Sequence, residues 1–218
     1  MKFKTIIFDM DGTIIDTVHL WQKANRLLLE QYGIMCSQEE LNKRQEHMHG
    51  LSTAEHCLFL KMEFNIPTDV MTLVEQKSAL AMKLFEKELQ FVHGFQEFHQ
   101  RVIDKELKTG IATNANNLTI ATTDKALNLS SYFGQHIYGI SCVKQGKPDP
   151  AIFLHTAEQL EAEPRDCIVI EDSPHGIQAA KAAGMTCIGI NTGKNRKALE
   201  AADHIIDYYH EINLDEFI

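Results

Sequence analysis

The stretch IIFDMDGTIID, residues Ile6–Asp16, decides how the rest of the chain is interpreted. Its first three residues are apolar and lead directly into two acids, Asp9 and Asp11, which are one residue apart. A short apolar run of this kind predicts a buried strand. Carboxylates so close together repel each other, so we expect a functional reason for their position at the end of that strand.

Other apolar runs and amphipathic stretches follow in alternation along the chain. The predicted strands are Phe3–Phe8, Thr109–Ala112, Cys167–Ile170, Thr186–Ile190 and, more weakly, His204–Ile206. The predicted helices between them include Leu118–Leu129, Ala151–Leu160 and Gly176–Ala183. Strands that alternate with helices predict an α/β fold, a doubly wound and Rossmann-like parallel sheet covered on both faces.

One region breaks this alternation. Residues 16–90 contain no convincing strand, and apolar residues recur there at helical spacing among charged ones. Gly33, Gly50 and Pro67 divide the region into about four helices. We therefore predict an α/β core formed by residues 1–15 and 91–218, with an inserted all-helical cap formed by residues 16–90.

Composition and charge indicate which classes of partner and which cellular compartment to expect. The 218 residues include 21 basic and 30 acidic side chains, a formal charge of -9, so an extended nucleic-acid or anionic membrane surface is not expected. No signal peptide and no 18-residue apolar stretch is found, and we expect a cytoplasmic protein. The five cysteines include no Cys-x-x-Cys pair, so reduced thiols are expected. We expect a monomer or a small homo-oligomer that binds a small molecule.

Polar side chains follow the predicted strands at the point where each strand ends. In an open parallel sheet, ligands bind beyond the carboxyl ends of the strands. The side chains expected at this rim are Asp9 and Asp11, Thr113 and Asn114, Glu171 and Asp172, and Lys147 from the loop KQGKPDP. The rim would then hold four carboxylates, a hydroxyl, an amide and one ammonium.

This set of groups restricts the chemistry. Clustered carboxylates without His or Cys favour a hard cation such as Mg2+, which binds a few carboxylates together with phosphate oxygens. The predicted metal ligands are Asp9, Asp11, Glu171 and Asp172, and the predicted substrate contacts are Thr113, Asn114 and Lys147. Because Mg2+ in such sites usually also binds an oxygen of a phosphate, a phosphorylated substrate is expected, and a carboxylate nucleophile could then form an aspartyl-phosphate.

Four motifs resemble those of the haloacid dehalogenase superfamily in order and approximate spacing. They are DMDGT from Asp9, IATNAN from Ile111, GKPDP from Gly146 and VIEDSPHGIQAAKAAGM from Val169. The resemblance covers nearly the whole chain. It implies that Asp9 is the nucleophile, that Asp11 is the general acid and base, and that Thr113 and Lys147 bind phosphate. It also implies that Asp172, with Glu171 nearby, anchors magnesium beside Asp9 and the Asp11 carbonyl.

Within the superfamily the chain is similar to two helical-cap groups, the sugar-phosphate phosphatases and the β-phosphoglucomutases. Trp21, Thr53 and Asn116 stand where the mutases typically have His, Arg and Lys. DTVHLW, from Asp16, is similar to the DSEPLW type of the phosphatases. The resemblance therefore implies a magnesium-dependent phosphatase acting on a small phosphorylated metabolite, a sugar phosphate, with a phosphosugar mutase as the alternative.

Other interpretations of the same residues are weaker. A signalling receiver domain also gathers acids, Thr and Lys around magnesium, but it is shorter and lacks a helical insertion. A calcium loop beginning at Asp9 would need Gly and Glu where Ile14 and Leu20 stand. Ser173 is predicted to cap a helix whichever role its neighbours have. In the cap, His47 and His49 are candidates for substrate contact, whereas a zinc site there is not favoured.

Overall fold

The computed structural model describes residues 3–45 and 53–216. His47, His49 and Gly50, which entered the predictions for the cap, lie outside the described residues. The chain divides into two compact units. Met1–Asp16 and Gln90–Ile218 form the first, and Thr17–Leu89 forms the second. The predicted boundaries, with residues 16–90 as the insertion, differ from these by one residue at each end of the insertion.

The first unit contains a six-stranded, entirely parallel sheet, which confirms the predicted α/β class. Its strands are β1 (Thr5–Phe8), β2 (Lys108–Ala112), β3 (Ile137–Tyr138), β4 (Cys167–Glu171), β5 (Thr186–Ile190) and β6 (His204–Ile206). The spatial order is β3-β2-β1-β4-β5-β6. β1 is therefore central, and the residues that follow it emerge between the ends of β2 and β4.

Helices cover both faces of this sheet. Those of the first unit are α5 (Phe95–Asp104), α6 (Asn117–Leu127), α7 (Ser130–Phe133), α8 (Ala151–Gln159) and α9 (Pro174–Ala182). Ile7 packs with Phe153 and Ile177 on one face. On the other face the Phe8 ring makes edge contacts with Phe95 and Phe133, with centroids 5.8 Å and 5.7 Å away. Successive residues of β1 thus point into two cores, as a doubly wound sheet requires.

Two differences from the predicted elements have clear physical reasons. β3 was not predicted, because a strand of two residues, Ile137 and Tyr138, is too short to show a period. The helix predicted over Leu118–Leu129 ends at Leu127 because Asn128 adopts a left-handed conformation, with φ of 54°, and closes the helix.

The second unit is helical in the part that the structure describes. It contains α1 (Val18–Gln31), α2 (Gln38–Gln45), α3 (Thr53–Glu63) and α4 (Val70–Glu88). Leu28, Leu60 and Leu73 from three of these helices share one apolar core. Asp69 caps α4 by accepting a hydrogen bond from the Thr72 amide at 3.0 Å. No helix among residues 3–45 and 53–216 combines the length and apolarity that a membrane span requires.

The chain leaves the first unit after Asp16 and returns to it at Gln90, and these two segments of the first unit are hydrogen-bonded to each other. The Asp16 amide donates to the Gln90 carbonyl at 2.9 Å, and the Val92 amide donates to the Ile14 carbonyl at 2.8 Å. These two bonds join the chain leaving β1 to the chain that leads into α5. Thr17–Leu89 is therefore an insertion, and the residues that flank it are joined by backbone hydrogen bonds.

A buried lysine in the helical unit yields a prediction about stability. The Lys77 ammonium lies 5.5 Å from the centroid of the Trp21 ring, and burial lowers the pKa of Lys77 from 10.5 to about 8. Between those pH values the unfolded chain binds more protons, so stability should rise with pH by at most about 3 kcal/mol. We expect Lys77→Met to remove this rise and to stabilise the unit at pH 7.

Trp21 is the single tryptophan of the chain and lies in this unit, so its fluorescence can follow urea unfolding of the helical unit between pH 7 and pH 10.5. Lys83→Met, at an exposed position of the same helix, is the matched control and should keep the wild-type pH dependence. An equal rise with pH in Lys77→Met and in the wild type would contradict the prediction.

Candidate active site

The predicted site residues of the core lie at the carboxyl ends of neighbouring strands. Asp9 follows β1, Thr113 follows β2, and Glu171 ends β4. The Asp9 amide donates to the Ile170 carbonyl at 2.9 Å, which places Asp9 beside the end of β4. Because β1 lies between β2 and β4, these side chains share one rim of the sheet.

Lys147 bridges two of the predicted carboxylates. Its ammonium donates to Asp9 Oδ1 at 2.5 Å and to Glu171 Oε1 at 2.8 Å, and all three side chains are buried. The same ammonium lies 4.7 Å from the centroid of the Phe153 ring, which forms an apolar wall beside it. The structure therefore joins Asp9, Lys147 and Glu171 in one buried cluster, although 138 and 24 residues separate Lys147 from the two acids.

Burial and charge shift the pKa values of this cluster in defined directions. Burial raises the pKa of Asp9 to about 7, although the Lys147 ammonium opposes the shift. Burial alone would lower the pKa of Lys147, but the charges of Asp9 and Glu171 outweigh it and raise that pKa. Lys147 is therefore a permanent cation at the rim. Its charge favours the ionised form of Asp9, the form that a nucleophile requires.

Both carboxylate oxygens of Glu171 accept hydrogen bonds from other residues of the core. Oε1 accepts from Lys147, while Oε2 accepts from the Ser173 amide at 2.7 Å and from the Ser173 hydroxyl at 2.9 Å. A Cβ at position 176 would lie 1.6 Å from Oε1, so only glycine fits there. Ser173 accepts from the Gly176 amide at 3.1 Å and caps α9, as predicted. Glu171 thus links Lys147 to the beginning of α9.

Asn114 holds the loop that carries Lys147. Its Oδ1 accepts from the Lys147 amide at 2.9 Å, and its Nδ2 donates to the Lys147 carbonyl at 3.2 Å. A Cβ at Gly146 would lie 2.5 Å from that Oδ1, so the loop approaches Asn114 closely. Both polar atoms of the amide are engaged with the backbone. The expected contact between Asn114 and the substrate stays a prediction.

Thr113 is buried at the end of β2. Its amide donates to the Tyr138 carbonyl at 3.0 Å, and its hydroxyl oxygen accepts from the Ala115 amide at 3.0 Å. A hydroxyl that accepts one hydrogen bond still has its own proton to donate. Thr113 is therefore held in a fixed orientation with a donor available for an anionic group, and its role in phosphate binding stays a prediction.

Asp172 lies against the loop that follows β1. The Thr13 hydroxyl is 3.4 Å from Asp172 Oδ1, and a Cβ at Gly12 would lie 2.1 Å from Oδ2. Gly12 also has a positive φ of 80°, which glycine adopts without strain. Burial, followed by the charges of Glu171 and Asp9, raises the pKa of Asp172. The glycine of the first motif therefore allows Asp172 to approach the loop that carries Asp9 and Asp11.

Residues 6–190 match the sequence model that describes haloacid dehalogenase-like hydrolases. The chain belongs to this family. The hydrolase is 31% identical over 196 residues to the phosphorylated carbohydrates phosphatase of Thermotoga maritima, with 88% of each chain covered. It is 26% identical over 221 residues to the β-phosphoglucomutase of Bacillus subtilis, covering 97% of this chain and 92% of that protein.

Solved structures agree with this assignment. The hydrolase superimposes on a putative β-phosphoglucomutase from Thermotoga maritima with a TM-score of 0.77, at 31% identity and with 94% of each chain covered. It superimposes on a haloacid dehalogenase-like protein from Agrobacterium tumefaciens with a TM-score of 0.81, at 27% identity, covering 96% of this chain and 95% of that one. The predicted family and its Rossmann-like core are therefore confirmed.

The donor set of the hydrolase fits a hard divalent cation. Asp9 and Asp172 offer carboxylate oxygens, and the pKa values of both are raised chiefly by burial and further by neighbouring carboxylates, two effects that a bound cation would offset. Among residues 3–45 and 53–216, however, no three His, Cys, Asp or Glu side chains are grouped to hold an ion by themselves. Of the four predicted carboxylate ligands, Glu171 accepts a hydrogen bond from Lys147, and the metal-binding role of the four stays a prediction.

Sequence reasoning did not single out three residues that contact this site. Phe153 lies beside Lys147, while Thr192 and Tyr209 bind the loop after β1 through their hydroxyl groups. Thr192 follows β5, so the rule that selected the other strand ends would have found it. Tyr209 gave no such signal because it comes from the C-terminal segment, 196 residues from its partner.

Proposed function

We propose that this hydrolase is a magnesium-dependent phosphatase that acts on a small phosphorylated metabolite through an aspartyl-phosphate on Asp9. The observation that carries the proposal is the buried cluster of Asp9, Lys147 and Glu171 at the rim of the parallel sheet. In this cluster the carboxylate of Asp9, the proposed nucleophile, lies beside a fixed cation. That pairing suits the transfer of an anionic phosphoryl group, where catalysis consists largely of positioning and charge stabilisation.

The chain's own residues have distinct roles in the proposed reaction. An oxygen of Asp9 forms a bond to phosphorus as the ester P–O bond breaks, and Asp11 gives a proton to the leaving oxygen. Water then attacks phosphorus and transfers a proton to Asp11, so that inorganic phosphate leaves and Asp9 is restored. Lys147 and Thr113 bind the phosphoryl oxygens and stabilise the charge that develops on them.

Magnesium would be held by Asp9, Asp172 and the backbone carbonyl of Asp11, and would neutralise charge on the phosphoryl group when bound. Glu171, which was also predicted as a ligand, is proposed here to position Lys147, because both of its oxygens are already engaged. This assignment uses two carboxylates. Mg2+ in phosphoryl-transfer sites commonly binds one or two together with substrate oxygens and water.

A phosphorylated sugar is the proposed substrate class. The relatives include the phosphorylated carbohydrates phosphatase of Thermotoga maritima and, from Escherichia coli, a 6-phosphogluconate phosphatase at 24% identity and a fructose-1-phosphate phosphatase at 28% identity. The test is a phosphate-release screen over sugar phosphates, phosphoglycolate and nucleotides, with Mg2+ and with EDTA. We expect Mg2+-dependent release that is greatest for a sugar phosphate. Release that is equal in EDTA, or absent for every compound, would contradict the proposal.

A phosphosugar mutase is the second candidate, because the similarity to the β-phosphoglucomutase of Bacillus subtilis extends over 97% of this chain. The local geometry favours it less. Asn116, where a mutase lysine is expected, caps α6 by accepting from the Thr119 amide at 2.9 Å. Trp21, where a mutase histidine is expected, packs on Phe85 with ring centroids 5.6 Å apart. Isomerisation of one sugar phosphate without net phosphate release in the same screen would favour the mutase.

A further inference from the structure

Two hydroxyl groups from the C-terminal part of the chain hold consecutive carbonyls of the loop after β1. The Thr192 hydroxyl donates to the Gly12 carbonyl at 2.6 Å, and the Tyr209 hydroxyl donates to the Thr13 carbonyl at 2.9 Å. Both carbonyls directly follow Asp11. The loop that carries the proposed nucleophile and its acid–base partner is therefore bound from outside by residues of two distant segments.

The loop also has internal hydrogen bonds that make its position sensitive to these contacts. The Gly12 amide donates to the Ile15 carbonyl at 2.8 Å, and the Ile14 amide donates to the Met10 carbonyl at 3.0 Å. The loop is thus a compact turn whose residues are tied to one another by backbone hydrogen bonds. Two hydroxyl groups that fix the middle of such a turn fix the orientation of Asp11 as well.

Tyr209 is built into the core rather than placed on its surface. Its side chain is 1% exposed and its ring stacks on Phe98, with centroids 5.1 Å apart and an angle of 29° between the planes. The Phe95 ring meets it edge-on at 5.9 Å. A phenol hydroxyl this deeply buried requires a hydrogen-bond partner, and the Thr13 carbonyl is that partner.

The turn that carries Tyr209 is held by hydrogen bonds on both sides of that residue. Glu211 Oε1 accepts from the backbone amides of Asp207 and Tyr208 at 3.1 Å and 2.8 Å. Arg101 of α5 donates to the Ile212 carbonyl at 2.7 Å. The position of the Tyr209 hydroxyl is therefore set by α5 and by the C-terminal turn together. Through this hydroxyl the C-terminal segment is hydrogen-bonded to the loop after β1.

We propose that Tyr209 and Thr192 are positioning residues for the reaction, which hold the Gly12 and Thr13 carbonyls so that Asp9 and Asp11 keep their catalytic orientation. This proposal rests on the proposed phosphatase function. In the proposed reaction neither the Tyr209 hydroxyl nor the Thr192 hydroxyl contacts the reacting atoms. Their loss should therefore lower the rate of the chemical step more than it weakens the binding of substrate.

The test compares Tyr209→Phe and Thr192→Val with the wild type, using the best substrate of the phosphate-release screen. Each substitution removes one hydroxyl and keeps the shape of the side chain. We expect kcat to fall about 10-fold to 100-fold, the scale of a misplacement of roughly 1 Å, while KM stays within about twofold. Thr192→Ser, which retains a hydroxyl, should restore most of the rate. Tyr208→Phe, at a neighbouring position that is 55% exposed, should behave like the wild type.

A second readout does not depend on activity. Hydrogen exchange of the peptide covering residues 9–16, measured in EDTA, should be faster in Tyr209→Phe and Thr192→Val than in the wild type and in Tyr208→Phe. Thr192→Val provides the test if Tyr209→Phe does not fold, because Thr192 is only partly buried. Unchanged kcat together with unchanged exchange in a folded variant would overturn the proposal. A wild-type protein that releases no phosphate would contradict the proposed function alone, since the exchange experiment would still test the two contacts.

Discussion

Replacing Asp9 by asparagine is expected to lower the rate of phosphate release by about 10^4-fold or more, the scale seen when a catalytic nucleophile is removed. The new side chain could still accept the hydrogen bond from Lys147, but an amide is a poor nucleophile and cannot form the acyl-phosphate bond. The measurement is steady-state phosphate release with Mg2+ on the best substrate of the screen. The loss should appear in kcat, since the substitution is isosteric and leaves the other phosphate contacts in place.

The matched control for this variant is Asp104→Asn, which removes the same charge from an exposed position on α5. It should retain the wild-type rate. Thermal unfolding of both variants checks that Asp9→Asn is folded. Hydrolysis by folded Asp9→Asn at a rate close to that of the wild type would show that another group attacks phosphorus. A reaction that water carries out directly, without an aspartyl-phosphate, would be the explanation to examine next.

Replacing Asp11 by asparagine is expected to lower turnover of a sugar phosphate by about 10^2-fold to 10^4-fold, the usual contribution of a general acid and base. Both half-reactions should slow, because the side chain that protonates the leaving oxygen also activates water. The backbone carbonyl of residue 11 is unchanged in this variant. The proposed magnesium ligands are therefore retained, and binding of Mg2+ measured by calorimetry should remain close to that of the wild type.

The two half-reactions of Asp11→Asn can be separated with p-nitrophenyl phosphate, whose leaving group needs little help from an acid. We expect a rapid burst of nitrophenol equal to about one molecule per enzyme molecule, followed by slow turnover, since the aspartyl-phosphate forms but is hydrolysed slowly. Wild-type turnover without accumulation of a phosphorylated protein would contradict the role of Asp11. Asp9→Asn is the control, which should show no burst.

The fold was largely predictable because its signals are local. A buried parallel strand is a short apolar run, and β1, β2, β4, β5 and β6 each appeared as one in the sequence. Helix boundaries followed from chemistry as local as the Ser173 cap. The exception is β3, where two residues, Ile137 and Tyr138, pair with β2 at the sheet edge. This pairing depends on β2, whose Ile111 lies 26 residues before its partner Ile137 in the sequence. No local sequence pattern predicts it.

The candidate site was predictable as a set of residues and less so as a set of contacts. Strand ends and motifs selected Asp9, Thr113, Lys147 and Asp172, which the structure places at one rim of the sheet or against its central loop. Which partner each side chain binds depends on distances in the folded protein, and these distances cannot be read from the spacing of residues along the sequence. For Glu171 the sequence predicted a metal contact, which stays a prediction, and the structure adds its hydrogen bonds with Lys147 and Ser173.

The sequence by itself therefore determined the α/β class, the family and the types of chemical group available at the rim, because the apolar runs of the strands and the motif residues are encoded over short stretches of chain. Only the tertiary structure decided which group faces which. Lys147 lies between Asp9 and Glu171, and Tyr209 reaches back across 196 residues to the Thr13 carbonyl. Such contacts arise when the sheet and its helices close around one core, and burial then gives each charge and hydroxyl a defined partner.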